Sequence, residues 1–215
     1  MHKIKRTGIP SSLKRYGATW TKDLLDEIAR KGSYSKAESK YKTKYNKDPI
    51  KRALDEMYGD FCCYCESRIT VAGFRRIEHL KPRAKFPEEC YSWDNLHYAC
   101  EVCNSNKTDE WDYTYPIIDP CIDTPTNHLE FRDHLIFPRG NDLRGKTTIE
   151  HTELNRNELA DARLMIFSLI LDIINFAKER AGVQWKSEAL KRLDSILTDP
   201  EYLTLKEYIK ETYLL

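Results

Sequence analysis

Two pairs of cysteines, each with two residues between its members, constrain this chain of 215 residues more than any other feature. Cys62 and Cys65 form the first pair, and Cys100 and Cys103 form the second. Four thiolates with this spacing are typical of one tetrahedral zinc ion that ties two distant segments together. Cys63 lies beside Cys62 and could replace it, although Cys63 and Cys65 lack the usual spacing. We therefore predict a structural zinc site, with Cys62 preferred over Cys63.

Cysteine usage also bears on the cell compartment. The chain has seven cysteines, an odd number, and its first residues form no apolar leader segment. This combination favours a reducing cytoplasm and metal binding over disulfides. A redox role for the cysteine pairs would require a thioredoxin-like strand–helix–strand context, which the flanking sequence does not indicate. Cys90 and Cys121 have no paired neighbour, and we interpret them as buried apolar residues.

Charge is distributed unevenly along the chain, although the net charge is only +1. Residues 1–52 contain 15 Lys and Arg but 5 Asp and Glu, which leaves 20 basic and 29 acidic residues for the remainder. The first segment therefore carries +10 and the remainder −9. A basic segment can contact nucleic-acid phosphates or an acidic partner, and a solvated helix surface explains it equally well.

Hydrophobic periodicity and turn residues predict an α+β fold in a mainly helical chain. Thr19 or Thr21 is expected to cap the first long helix, and Gly32, Gly59 and Gly182 are expected to end helices. The apolar stretch 164–177 is too short and too polar to span a bilayer, so we expect no membrane contact. The predicted elements are an extended arm over 1–18, helices over 20–31, 34–47 and 49–57, strands over 68–74 and 76–80, a loop followed by a helix over 93–107, strands near 129–131, 134–137 and 147–149, and helices near 158–181, 185–197 and 202–213.

These elements divide the chain into three predicted regions. Residues 1–59 form a basic N-terminal arm with helices, and residues 60–110 form a module bracketed by the cysteine pairs. Residues 111–215 form a short hairpin followed by a helical region.

Polar residues in and just after the bracketed segment suit hydrolysis of a phosphodiester. His79 can act as the general base, because imidazole titrates close to neutral pH. Glu78 and Asn104 offer oxygen ligands, which favour Mg²⁺ or Mn²⁺ over a second zinc. Asn95 can brace the loop through hydrogen bonds to the backbone and so fix the histidine.

Two lysines in the same segment, Lys81 and Lys107, can contact a phosphate. His97 is the main competitor of His79 for the site histidine, and we interpret it either as structural or as a residue that supports the site residues without contacting the substrate. The histidines outside the segment are also interpreted as structural: they are His2, His128, His134 and His151.

Taken together, these residues resemble the zinc-binding HNH endonuclease family, whose ββα-metal fold holds one catalytic metal between a hairpin and a helix. The resemblance implies that His79, Asn95 and Asn104 occupy the three positions of the family motif. It implies that Glu78 is the acidic metal ligand and that the four cysteines hold a structural zinc. Glu stands at position 78 where Asp is commoner, and Asn stands at position 104 where His is commoner.

Longer stretches resemble the retron-associated and Septu-type members of that family. The resemblance implies the nuclease effector of a bacterial anti-phage system that acts beside an ABC-type ATPase, called PtuA in Septu systems. In some systems it also implies a retron reverse transcriptase and its DNA. DNA is favoured as substrate, with tRNA or other RNA as the alternative. The stretches are residues 62–66, 77–82, 93–96, 99–107, 118–120, 128–129 and 154–159, together with Arg163.

A second hypothesis is a non-catalytic, zinc-stabilised adaptor that binds nucleic acid or an ATPase. The four cysteines alone would serve such a protein equally well. The set of Glu78, His79, Asn95 and Asn104 favours a nuclease, because a scaffold has no need of it.

Overall fold

The structure is a computed structural model that describes residues 1–69, 74–179 and 183–214. Over these residues the predicted α+β fold class is confirmed, because helices predominate and the strands form small antiparallel sheets. The helices are α1 (Ser11–Lys31), α2 (Ser39–Lys42), α3 (Asp48–Tyr58), α4 (Glu101–Lys107), α5 (Leu143–Thr152), α6 (Asn157–Glu179), α7 (Val183–Thr198) and α8 (Leu203–Tyr213), and the strands are β1 (Arg75–His79), β2 (Leu96–Cys100), β3 (Leu129–Arg132) and β4 (Leu135–Pro138).

Helix α1 begins nine residues before the predicted helix, so the prediction of an extended arm over 1–18 is wrong beyond residue 10. The helix starts directly after Pro10, and Thr19 and Thr21 lie inside it rather than at its N-cap. Leu13 is the one large apolar residue buried in the first turns, which leaves little periodicity to read from sequence. Gly32 ends the helix as predicted, with a left-handed φ of 82°.

Two other element predictions are wrong. The segment 34–47 contains only the single turn of α2, because its few bulky residues give a helix little apolar surface to bury. The segment Thr147–Ile149, predicted as a strand from its β-branched residues, lies in α5. Asp142 caps that helix by accepting a hydrogen bond from the Gly145 N–H, at 2.7 Å.

Strand β1 pairs antiparallel with β2, and α4 follows β2 without a loop. His79 lies opposite Leu96, and Arg75 lies opposite Cys100. The strand over 76–80 was predicted, whereas β2 was predicted as loop. All five residues of β2 are buried, so the strand shows no polar–apolar alternation.

The strand predicted over 68–74 is described only in part. Arg68 forms a single bridge to Phe61, and Ile69 is helical. Residues 70–73 lie outside the described residues.

Apart from α5, the C-terminal half follows the predictions closely. Strands β3 and β4 form the expected hairpin, and Asn155 accepts from and donates to the backbone of Ile136. Helices α6, α7 and α8 lie within two residues of their predicted bounds where these are described, and Gly182 lies outside the described residues. In the described ranges, none of the helices combines the length and hydrophobicity that a membrane span needs.

One continuous core supports the pair of strands that carries the predicted site. It extends from α1 and α3, through Leu24, Ile50 and Leu54, to Leu96 of β2. It continues into the C-terminal helices. The hairpin and α4 therefore rest on a packed interior although they are themselves small.

The backbone around Gly145 gives a test of this packing. A Cβ at position 145 would lie 2.2 Å from the His128 carbonyl oxygen, whereas a Cβ at Gly8 would meet nothing within 4 Å. We expect Gly145→Ala to lower the free energy of unfolding by about 3 kcal/mol, because the backbone at His128, directly before β3, and the start of α5 must separate. Gly8→Ala should change it by less than about 0.5 kcal/mol. Urea denaturation followed by circular dichroism measures both, and equal midpoints would contradict the described packing.

Candidate functional site

The sulphurs of Cys62, Cys65, Cys100 and Cys103 lie within 4.8 Å of one another. The Cys65 and Cys100 sulphurs are 3.9 Å apart. Four ligands at the usual zinc–sulphur length in a tetrahedron would be about 3.8 Å apart, so this group fits a zinc ion. The first two cysteines follow α3, Cys100 ends β2, and Cys103 lies in the first turn of α4. A zinc ion here would join the loop after α3 to the junction of β2 and α4.

The structure places Cys62 in this group and leaves Cys63 outside it. The Cys63 backbone N–H donates to the Tyr98 carbonyl at 2.9 Å, which fixes the loop of the first cysteine pair against β2. Burial raises the pKa of the Cys63 thiol, so it stays protonated and apolar. The geometry therefore favours Cys62 as the ligand.

Polar groups lie within hydrogen-bond distance of three of the four sulphurs. The Cys103 backbone N–H and the Arg156 guanidinium approach the Cys100 and Cys103 sulphurs, each at 3.4 Å. The Ser67 hydroxyl lies 2.8 Å from the Cys65 sulphur. Burial tends to lower the pKa of the Arg156 guanidinium, but the sulphurs of Cys103, Cys65 and Cys100 together outweigh it and raise that pKa. Arg156 thus offsets part of the negative charge of four thiolates, a role that sequence reasoning did not assign.

Glu78 is buried, with 4% of its surface exposed. Its Oε1 accepts from the Lys107 ammonium at 2.8 Å and from the Tyr64 hydroxyl at 3.2 Å. Burial raises the pKa of the Glu78 carboxyl, and the Lys107 charge opposes that shift. Tyr64 lies between the first two cysteines, so the same loop that reaches the sulphur group also orients this carboxylate.

His79 is 6% exposed and contacts one backbone carbonyl and one aromatic ring. Its Nε2 lies 3.0 Å from the Cys90 carbonyl oxygen, and the Tyr45 ring packs edge-on with centroids 4.6 Å apart. Burial lowers the pKa of His79 to about 3, and the nearby Arg83 charge adds to the effect. At pH 7 the imidazole is therefore neutral, with its Nε2–H donated to the Cys90 carbonyl and Nδ1 left as the acceptor.

Asn95 closes the loop between the two strands. Its side chain accepts from the Lys81 N–H at 2.7 Å and donates to the Lys81 and Glu89 carbonyls at 3.0 Å and 3.2 Å. Its own carbonyl accepts from the Leu80 N–H. These bonds hold the segment directly after His79.

A cleft of about 880 Å³ opens over β1 and α4. Four of the predicted site residues line it, whereas Asn95 and Lys81 do not. Lys107 is only 1% exposed, and its ammonium also donates to the His79 carbonyl at 3.0 Å. Sequence reasoning missed Lys51, Arg75, Arg76, Arg83 and Tyr45, which also line the cleft. The four predicted residues in the cleft are Glu78, His79, Asn104 and Lys107.

His97 does not line the cleft. Its Nδ1 lies 2.7 Å from the Tyr58 hydroxyl, and its Nε2 lies 3.1 Å from the Arg6 guanidinium. His97, Asp119 and Cys121 form a second group with ligand atoms within 4.8 Å of one another. A guanidinium within hydrogen-bond distance of the imidazole opposes a cation there, so we interpret this group as a structural network.

The two strands, the helix that follows them and the four-cysteine group form a ββα unit, and residues 62–110 match the family model described as HNH endonuclease. This segment is therefore similar to an HNH endonuclease domain. Over 180 residues the chain is 31% identical to Septu protein PtuB of Bacillus thuringiensis, an alignment that covers 83% of this chain and 64% of that protein. The chain thus spans less than two thirds of the length of this first relative.

Two further relatives point the same way. Septu protein PtuB of Bacillus mycoides (strain KBAB4) is 26% identical over 224 residues, covering 86% of this chain and 75% of that protein. A candidate HNH endonuclease of retron Vc95 from Vibrio cholerae is 25% identical over 145 residues, covering 60% of this chain and 68% of that protein. The predicted resemblance to HNH endonucleases, and to their Septu-type and retron-associated members, is confirmed.

The zinc assignment can be tested by exchanging one sulphur at a time. We expect Cys62→Ser to lose bound zinc and most helical structure, because the ion would lose one of four ligands. Cys63→Ser should keep one zinc per chain and lose about 1–3 kcal/mol of stability for a buried hydroxyl. Metal analysis of the purified proteins, with circular dichroism, measures both. Zinc retained in Cys62→Ser and lost in Cys63→Ser would reverse the assignment.

The buried Glu78–Lys107 pair gives a second test. We expect Lys107→Met to lower the free energy of unfolding by about 3–5 kcal/mol, because it leaves a buried carboxylate without its cation. Adding Glu78→Gln should restore part of that loss. Chemical denaturation of the wild type, both single variants and the double variant measures the coupling. Strictly additive losses would show that the two side chains do not interact.

Proposed function

We propose that the chain is a metal-dependent HNH endonuclease that hydrolyses phosphodiester bonds of nucleic acid. The observation that carries the proposal is a neutral imidazole at His79 beside the Glu78 carboxylate in one cleft of an HNH domain. In this proposal residues 60–110 form the nuclease module, residues 1–59 form the basic arm and helices, and residues 111–215 form the hairpin and helical region.

His79 is the proposed general base. The Cys90 carbonyl accepts its Nε2–H and so fixes the tautomer in which Nδ1 can take a proton from water. The depressed pKa keeps this nitrogen unprotonated at working pH. Asn95 is the proposed positioning residue, because it fixes the backbone that follows His79 without lining the cleft.

Glu78 and Asn104 are the proposed ligands of a catalytic Mg²⁺ or Mn²⁺. Both line the cleft, and Oε2 of Glu78 makes no hydrogen bond to any described residue. One carboxylate and one amide suit a hard cation that completes its coordination with water and phosphate oxygens. When bound, the ion would neutralise charge on the phosphate and on the leaving oxygen. Zn²⁺ is the proposed structural ion of the four cysteines.

Lys81 and Lys107 stay predicted phosphate contacts. In this structure each ammonium lies 2.8 Å from a carboxylate, Glu89 and Glu78 respectively. Either lysine would have to exchange that partner to reach a substrate phosphate. Asn104 keeps its predicted third position of the HNH motif on α4.

We further propose that the chain acts as the nuclease effector of a bacterial anti-phage system in the cytoplasm. The similarity to two Septu proteins and to a retron protein supports this role. The proposed partners are an ABC-type ATPase of the PtuA kind and, in a retron, a reverse transcriptase and its DNA. DNA is the favoured substrate, and tRNA or other RNA is the alternative. A zinc-stabilised adaptor without catalysis is the competing function, and it leaves the cleft residues without a role.

The nuclease and adaptor functions differ in one measurement. The chain is co-purified with the products of its neighbouring genes and challenged with DNA and RNA plus magnesium. We expect His79→Ala to reduce cleavage by at least about 100-fold, because the water loses its base. Zinc content and the composition of the complex should not change.

His134→Ala is the matched control, because His134 lies in the turn between β3 and β4 and not in the cleft. It should cleave at the wild-type rate. Full activity of His79→Ala would refute His79 as the general base. A triggered complex that cleaves neither DNA nor RNA would favour the adaptor function.

A further inference from the structure

The cleft beside His79 contains five Lys and Arg side chains, and three of them already have carboxylate partners. A cation that is neutralised by a fixed carboxylate attracts a phosphate only weakly. Among the described residues, Lys51 and Arg83 have no carboxylate within ion-pair distance. The paired cations are Arg75 with Asp55 and Asp60, Arg76 with Glu101, and Lys107 with Glu78.

Arg83 is connected to His79 through one aromatic ring. The Tyr45 ring packs against the His79 imidazole, and the Arg83 guanidinium carbon lies 5.3 Å from the centroid of the same ring. Arg83 Nη1 also donates to the Tyr45 hydroxyl. No such contact is found for Lys51 among the described residues; its backbone carbonyl accepts from the Tyr98 hydroxyl. Arg83 is therefore the unpaired cation held next to the imidazole.

The hydrogen bonds of Arg83 leave one edge of its guanidinium available. Only Nη1 has a partner among the described residues, and that partner is Tyr45. Nε and Nη2 lie on the opposite edge and point in parallel, which is the arrangement that binds two oxygens of one phosphate. The Tyr45 hydroxyl fixes the guanidinium through Nη1 and leaves the Nε–Nη2 edge free to bind a phosphate.

We infer that Arg83 binds the scissile phosphodiester through Nε and Nη2 while Tyr45 positions its guanidinium beside His79. This inference rests on the proposed endonuclease function and assigns the phosphate contact within it. It places the anion near the imidazole that would activate the attacking water. The ligand class is a phosphodiester monoanion of a nucleic acid.

Cleavage by the assembled complex gives the first test. We expect Arg83→Gln to lower kcat/KM by about 100-fold, as loss of one transition-state donor does in other enzymes. Arg83→Lys should retain more activity, because it keeps the charge but not the two-oxygen geometry. Tyr45→Phe keeps the ring beside His79 and loses the hydroxyl, so its loss should lie between that of Arg83→Lys and wild type. The matched control is Arg132→Gln, which removes an arginine paired with Glu130 on β3, outside the cleft, and should leave kcat unchanged.

Binding without chemistry gives the second test. The full chain, free of divalent metal apart from zinc, is titrated with a dinucleoside phosphate while the arginine Nε–H signals are followed by nuclear magnetic resonance. We expect the Arg83 signal to shift and the Arg76 signal to stay constant. Tyr45→Phe should weaken the response, and thermal melting should show that every variant is folded.

The possible outcomes separate the Arg83 phosphate site from the endonuclease function. If Arg83→Gln cleaves like the wild type while His79→Ala is inactive, this inference is wrong and the endonuclease function is retained. An Arg83 signal that does not respond to the diester also overturns it. A complex that never cleaves although Arg83 binds the diester supports the anion site and overturns the endonuclease.

Discussion

Four cysteine sulphurs are the constraint on which the rest of the site depends. Glu78 and His79 lie in a two-stranded pair and Asn104 lies in a helix of seven residues, and neither element would be stable alone in water. A zinc ion among the sulphurs would join them and add its binding free energy to folding. Because Tyr64 lies between two of the cysteines and contacts Glu78, the same loop also orients the carboxylate.

Burial has a large effect on the protonation of Glu78 and His79. Both side chains are almost inaccessible to solvent, and withdrawal from water favours the neutral form of an imidazole and of a carboxyl. For His79 that effect yields a free acceptor nitrogen at neutral pH. For Glu78 it would remove the charge that a metal ligand needs, and the Lys107 ammonium opposes it at 2.8 Å. Lys107 is thus better understood as the fixed counter-ion of the carboxylate in this state than as a free phosphate contact.

Prediction from sequence succeeded mainly for features that depend on residues close together in the chain. The spacing of the cysteines predicted the sulphur group, and the resemblance to HNH endonucleases implied that Glu78 and His79 share one site; both line the same cleft. Strand β2 escaped prediction because all of its residues are buried and periodicity cannot distinguish such a strand from a loop or helix of equal length. The contact between Tyr45 and Arg83 joins residues 38 positions apart, so no motif could indicate it. The predicted roles of the site residues are chemical assignments that geometry supports and only experiments on activity can test.

Charge in the cleft limits how the protein can hold nucleic acid. Most of the cations there are ion-paired, and the chain as a whole carries only +1. Affinity for a polyanion depends on how many phosphates unpaired cations can neutralise, and the cleft offers few. The cleft is therefore suited to orienting one phosphodiester rather than to gripping a long stretch of backbone. The remaining attraction must come from outside it, either from the +10 of residues 1–52 or from a partner protein that presents the strand. In the proposed nuclease this division would separate recognition from chemistry, and it would allow a buried, nearly neutral site to act on a highly charged polymer.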